Sequence, residues 1–310
     1  MLPGMLKDRL LTSVVAIPLL TLLFFADARL GERPMLFAAF IAVLAIVAAA
    51  ELVAMLRNLA PAIQRLDVVF GATAIVVVGH FGMLFAGTDE SALDGPLATL
   101  MAGDLFAVLA AVGVLLAMTV ADLVRYEAGV YEPAAVLPTF AAKLLAIVYV
   151  GGGLFAASQL RWMDDGYGAL ATLLVTVKAA DIGAYFIGRI VGGWHPLKRL
   201  SPGKTLAGFV GGVVVGTAAG ASLATTLAVG EPSDVGGVVL LALPWALVAV
   251  CGIVGDLVES LLKRGCGVKD SGTILPGFGG VLDLIDSPLF AGATLSAVVT
   301  AMLAASSLLR

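Results

Sequence analysis

The chain has 310 residues, of which 60% are hydrophobic and 13% charged, with a formal net charge of −4. Soluble domains run close to half apolar and a quarter charged, so this composition excludes an ordinary soluble globular fold and makes the lipid bilayer the expected solvent. No nucleic acid is expected as a partner.

The apolar residues fall into blocks of about 20, long enough to cross a hydrocarbon core of about 30 Å as helices. In chain order the predicted spans are 11–26, 35–56, 66–86, 97–121, 134–159, 168–188, 204–229, 237–258 and 288–309. The fold class expected is therefore all-α: a polytopic integral membrane protein of about nine transmembrane helices. Lys7 and Arg9 precede the first block, but no small-residue cleavage site comes before the charged Asp27–Arg33 stretch, so a retained helix is expected rather than a signal peptide. Lys and Arg in short loops stay on the cytoplasmic side. A cytoplasmic N-terminus puts Lys7, Arg9, Arg57, Arg65, Arg125, Arg189, Lys198, Arg199, Lys204, Lys263, Arg264 and Lys269 inside. It leaves Arg29, Arg33, Arg161 and Arg310 on the other face, whose loops at Thr88–Asp94 and Gly230–Asp234 carry carboxylates and no basic residue.

Residues 1–160, mostly Ala, Leu and Val, read as a transmembrane scaffold, and 161–310 as the catalytic region with cytoplasmic loops, the two forming one continuous membrane domain. Within the scaffold, Lys143 and Asp104 lie close enough to span ends for snorkelling or an interfacial position to account for them. His80 has no Cys, Asp or second His nearby in sequence and reads as structural. Cys251 falls in a helix and Cys266 in a cytoplasmic loop, so free thiols are expected rather than a disulfide.

From residue 178 onward polar groups enter the spans. Lys178 and Asp181, at i and i+3, share a helix face and can pair; a structural ion pair and a polar cavity are both open readings. The most basic loop runs from Gly188-Arg189 through His195 to Ser201-Pro202-Gly203-Lys204-Thr205. Its Gly-Lys-Thr ending is not a nucleotide-binding P-loop, because position 198 is lysine where that motif needs glycine and no strand precedes it. Ser201-Pro202 is instead expected to open a helix whose free N–H groups, with Lys204, face an anion.

The richest stretch runs from Gly255 to Ser287. Asp256, Ser260 and Lys263 follow i, i+4, i+7 and project from one helical face, with Arg264 next. Then come Lys269, Asp270, Gly279, Gly280, Asp283 and Asp286, in a loop with six glycines that let the backbone approach a ligand and take positive φ. Lys263, Arg264 and Lys269 supply charge for a polyphosphate; Asp256, Asp283 and Asp286 supply hard oxygen ligands for Mg²⁺. Carboxylates beside cations and a glycine-rich loop are what metal-supported phosphoryl chemistry requires.

Ser260-Leu-Leu-Lys263-Arg264, four residues, Lys269-Asp270, Leu275-Pro276, Gly279-Gly280, Asp283 and Asp286 resemble the signature of the CDP-diacylglycerol synthase (phosphatidate cytidylyltransferase) family. Asp181-Ile-Gly-Ala-Tyr-Phe-Ile-Gly188-Arg189 and Ser201-Pro202-Gly203-Lys204-Thr205 with Gly208 resemble two further family blocks, so the likeness is specific over roughly 145–290. It implies transfer of a cytidylyl group from CTP to phosphatidate, giving CDP-diacylglycerol and pyrophosphate in phospholipid biosynthesis. Mg²⁺ is the implied cofactor, with K⁺ as a second cation left open. By the same resemblance Asp256, Asp283 and Asp286 are metal residues. Lys263, Arg264, Lys269 and Asp270 are catalytic, and Ser201, Lys204, Thr205, Ser260, Gly279 and Gly280 bind substrate. The expected setting is the bacterial inner membrane, with the active site on the cytoplasmic face; a homodimer is an open alternative for assembly. Three positions depart from the family pattern: Phe278 stands where His is common, Leu284 where Arg follows the first signature aspartate, and Ala207 where Glu is frequent. A CTP-dependent polyprenol or phytol kinase is the alternative enzyme, and a non-catalytic binder of anionic lipid the alternative of another class.

Overall fold

The computed structural model describes residues 3–30, 33–86, 96–163, 165–227 and 235–308, with some helical residues within 3–17, and residues 86, 96–97, 235–241 and 306–308, described by their backbone alone. Among the described residues there are ten α-helices: α1 (Pro3–Arg29), α2 (Met35–Leu56), α3 (Arg65–Ala86), α4 (Pro96–Glu127), α5 (Pro133–Ala146), α6 (Gly153–Ser158), α7 (Gly166–Val191), α8 (Leu206–Thr226), α9 (Val235–Gly265) and α10 (Leu282–Leu308). A π-helical segment, Ile147–Gly152, joins α5 to α6, and a 3₁₀ turn, Gln159–Trp162, follows α6. No strand occurs among the described residues. Eight of the helical stretches there are long and apolar enough to cross a membrane, so the protein is an all-α polytopic membrane protein. The first predicted span lies within α1, which is not among the eight. The two loops expected outside, Thr88–Asp94 and Gly230–Asp234, lie outside the described residues.

By internal packing the chain forms two units: Met1–Phe155 with Gly265–Leu284, and Ala156–Arg264 with Ile285–Arg310. In the first, α3 packs on α4 and on the π-helical segment, where Gly151 lets the Ala72 backbone come within 2.8 Å of where a Cβ would sit. This unit buries an ion cluster. Lys143 Nζ donates to Asp67 Oδ2 at 2.6 Å and Asp122 Oδ1 at 2.5 Å, and Arg125 bonds the same two carboxylates at 2.5 and 3.0 Å. Tyr131 donates to Asp122 at 2.9 Å. Two cations facing two anions make the group neutral and tie α3, α4 and α5 together. Lys143 was expected to snorkel from a span end; its side chain is instead 0% exposed, because its partners come from helices that the sequence places 76 and 21 residues away. Asp104 is exposed, and buried His80 hydrogen-bonds through Nδ1 to the Val76 carbonyl at 2.8 Å, a structural contact.

In the second unit α7 and α8 pack along small residues. Gly208, Gly212 and Gly216 recur every fourth residue on α8, and a Cβ at each would lie 2.7 to 3.0 Å from a carbonyl oxygen of α7. That spacing is the close-packing device of helices in lipid, where dispersion replaces the hydrophobic effect. Ala180, Ala249 and Ile253 are buried beside it, with Phe209 and Val213 packed against them.

Candidate active site

Two local devices set the entry to α8. Thr205 is its N-cap: the hydroxyl accepts from Gly208 N at 3.0 Å. The predicted helix start at Ser201-Pro202 is thus corrected by four residues; Ser201–Lys204 closes as a turn, Lys204 N donating to Ser201 O at 3.1 Å. The cause is the competing cap, since Thr205 followed by Gly208 satisfies a first-turn donor that Ser201 cannot reach from a turn. Thr205 is buried with its oxygen in the cap, and Ser201 is partly exposed.

The turn aims Lys204 at α9, where Nζ lies 2.5 Å from Asp256 Oδ2. Ser260, one turn on, points its hydroxyl at Asp256 Oδ1 at 3.5 Å. Glu259, fully buried, pairs with Lys263 one turn further along the helix. Asp286 on α10 is 7% exposed and takes a hydrogen bond from its neighbour, Ser287 N. Carboxylate oxygens of Asp256, Glu259 and Asp286 all lie within 4.8 Å of one another. On α7, Lys178 and Asp181 pair at 3.4 Å with both side chains about half exposed, and the charge of Lys178 acts on Asp286 as those of Asp256 and Lys204 act on Asp181. Taken together, three clustered carboxylates face two directly paired lysines, leaving negative charge in a part-buried setting. Burial of a carboxylate without a compensating cation is expensive in a low-dielectric interior. Three hard oxygen donors at this spacing fit a small divalent cation such as Mg²⁺.

The glycine-rich stretch belongs to the first unit. Gly267, Gly277 and Gly279 adopt φ of +72°, +79° and +100°, conformations that L side chains rarely take. Leu275 N donates to Gly279 O at 2.8 Å, closing the turn that carries Pro276 to Phe278. Asp283 folds back over this loop: its Oδ2 accepts from Gly280 N at 2.7 Å, Ser271 Oγ at 2.9 Å and Ser271 N at 3.0 Å. Glu51 on α2 grips the same loop, accepting from Leu282 N at 2.8 Å and Val281 N at 3.0 Å. Arg264, closing the second unit's part of α9, is exposed, as are Lys269 and Asp270 in the loop. The neighbouring Cys266 is a buried free thiol whose pKa burial pushes up, and Cys251 is also free.

Of the residues singled out from sequence, the second unit gathers Lys204, Asp256, Ser260, Lys263 and Asp286, while Asp283, Gly279 and Gly280 meet in the loop of the first. Two residues escaped the sequence reading. Glu259 had a visible signal, since it lies three residues after Asp256 and four before Lys263 on one helix. Glu51 had only one: it is the sole ionisable residue of apolar α2.

The family model described as the Cytidylyltransferase family matches residues 7–302, and the chain belongs to that family. Proteins named phosphatidate cytidylyltransferase are similar to it. That of Helicobacter pylori strain J99 is 40% identical over 179 residues, 58% of this chain and 61% of the relative. That of Mycobacterium leprae is 44% identical over 139 residues, 44% of this chain and 42% of the relative. That of Bacillus subtilis strain 168 is 40% identical over 147 residues, 47% of this chain and 53% of the relative. The chain thus spans between 42% and 61% of the length of these relatives.

Proposed function

We propose that this protein transfers a cytidylyl group from CTP to phosphatidate, forming CDP-diacylglycerol and pyrophosphate. The observation that carries the reading is the cluster of Asp256, Glu259 and Asp286 interleaved with Lys204 and Lys263, in a chain of the Cytidylyltransferase family whose relatives bear that activity in their names.

A phosphate oxygen of phosphatidate attacks the α-phosphorus of CTP; the new P–O bond forms as the bond from the α-phosphorus to the bridging oxygen breaks, and pyrophosphate leaves with that electron pair. No side-chain nucleophile is needed, because the attacking phosphate is already anionic near neutral pH. The barrier is repulsion between anions, so the protein's task is to neutralise charge and hold the reactants in line. Lys204 and Lys263 stand at the carboxylate cluster to meet phosphate oxygens, and Lys178 adds a half-exposed cation on α7. Arg264, Lys269 and Asp270 are assigned to the nucleotide. Gly279 and Gly280 are assigned to substrate binding as part of the loop that Asp283 and Ser271 close. Asp256, Glu259 and Asp286 would hold Mg²⁺; Asp283 is also assigned to metal binding, with K⁺ as a second cation. Bound there, Mg²⁺ supplies electrostatic stabilisation to the triphosphate and the leaving pyrophosphate.

The setting that suits this chemistry is the bacterial inner membrane with the site open to the cytoplasm, where CTP arrives from water while acyl chains stay in lipid. Product analysis tests the reading. Purified protein given Mg²⁺, CTP and, separately, phosphatidate, a polyprenol and phytol should release pyrophosphate with phosphatidate alone. Release of CDP with an alcohol acceptor would instead identify a lipid kinase, and no turnover with any acceptor would leave an anionic-lipid binder.

A further inference from the structure

Glu51 is 6% exposed in a helix that is otherwise apolar, where a lone carboxylate needs compensation. Its compensation comes from backbone 230 residues away. Val281 and Leu282 are the cap and first residue of α10, whose opening N–H groups have no acceptor within the helix. Glu51 Oε1 takes the first and Oε2 the second, and the positive end of the helix dipole favours the charge there. The loop is also shaped to the carboxylate. A Cβ on Gly272 would lie 2.7 Å from Oε1, and one on Gly280 would lie 2.5 Å from Oε2. Ser271 Oγ stands between the two acids, 2.9 Å from Asp283 Oδ2 and 3.5 Å from Glu51 Oε2; its single hydrogen goes to the nearer. Glycine at 272 is therefore favoured by contact with Glu51, and at 280 by contact with both Glu51 and Ser271 Oγ, which would lie still closer to a Cβ there, whereas at 279 it is favoured by positive φ.

We infer that Glu51 is a positioning residue: its carboxylate sets the glycine loop and the first turn of α10, from which Asp283 projects. This rests on the cytidylyl-transfer reading above. The contact needs two acceptors at once. Glu51→Gln keeps the volume and one acceptor but turns an NH₂ donor toward a backbone N–H, so the loop must shift, and a shift of about 1 Å at a reacting site costs on the order of 100-fold.

The test compares wild type, Glu51→Gln and Leu52→Ala, the last removing a fully buried side chain from the same helix away from these contacts. In detergent, turnover, Mg²⁺ half-saturation, thermal midpoint and Mn²⁺ binding by electron paramagnetic resonance are measured on each. Glu51→Gln should lose at least about 10-fold in kcat and shift Mg²⁺ half-saturation upward, while Leu52→Ala lowers the midpoint and leaves half-saturation unchanged. Wild-type kcat in Glu51→Gln, or a loss that merely tracks the midpoint as in Leu52→Ala, overturns the inference. If wild type itself turns over none of the substrates, the proposed reaction fails. Mn²⁺ binding then decides this claim: weaker binding in Glu51→Gln supports it, and equal binding overturns it.

Discussion

Lys204 Nζ and Asp256 Oδ2 lie 2.5 Å apart across 52 residues of sequence, joining the turn before α8 to the C-terminal third of α9. Both side chains are about a third exposed, so the pair stands where a phosphate could reach it.

Replacing this lysine should therefore affect nucleotide binding before it affects the fold. Lys204→Met should raise the KM for CTP by about 10-fold or more, since charge-assisted contacts to phosphate are the strong ones. Lys204→Arg should recover part of the loss. Steady-state kinetics at saturating phosphatidate check this; an unchanged KM in Lys204→Met removes Lys204 from the substrate contacts.

The ion cluster around Lys143 should behave in the opposite way. Lys143→Met leaves Asp67 and Asp122 with Arg125 as their shared cation, and breaking a buried pair costs about 3–5 kcal/mol. The thermal midpoint should fall steeply while turnover per folded molecule holds. Lys143→Met with Asp122→Asn should recover stability by removing one stranded charge. A normal midpoint in the single variant would show that the cluster is dispensable.

The α7–α8 contact gives a packing prediction. Gly212→Val places a branched side chain where a Cβ alone meets the Ala180 carbonyl oxygen at 2.8 Å, and overpacking of this kind costs about 1–3 kcal/mol. Thermal unfolding in detergent should show the loss. Gly203→Val, at a position where a Cβ meets nothing within 4 Å, should leave the midpoint unchanged and serves as the control.

Membrane orientation is open to the same position. In a Cys251→Ser, Cys266→Ser background, Gly203→Cys should react with an impermeant maleimide only from the cytoplasmic side. Labelling from the outside only would invert the orientation expected from the Lys and Arg distribution.

Much of the fold was legible because span length and hydropathy are local properties: α2, α3, α7 and α8 lie within a few residues of their predicted bounds. The Lys178–Asp181 pair and the Asp256–Ser260 face were legible for the same reason, as fixed spacings on one helix. What failed to show was partnership between distant segments. Nothing near Lys143 in sequence announces Asp67, and nothing near Glu51 announces the amides of Val281 and Leu282. The start of α8 was misplaced because Ser201-Pro202 and Thr205 are both good helix openers, and only the reach of Thr205 to Gly208 N selects between them.

The most direct measurement is turnover of Asp256→Asn and Glu259→Gln beside wild type, with saturating Mg²⁺, CTP and phosphatidate and with thermal midpoints on the same preparations. Each change nearly preserves volume and removes one anionic oxygen from the cluster, which hard divalent cations favour over an amide. The account predicts a loss of about 100-fold or more in turnover with Asp256→Asn keeping a midpoint close to wild type. Near-wild-type turnover in Asp256→Asn, or a loss matched by unfolding, would contradict the claim that these carboxylates support cytidylyl transfer.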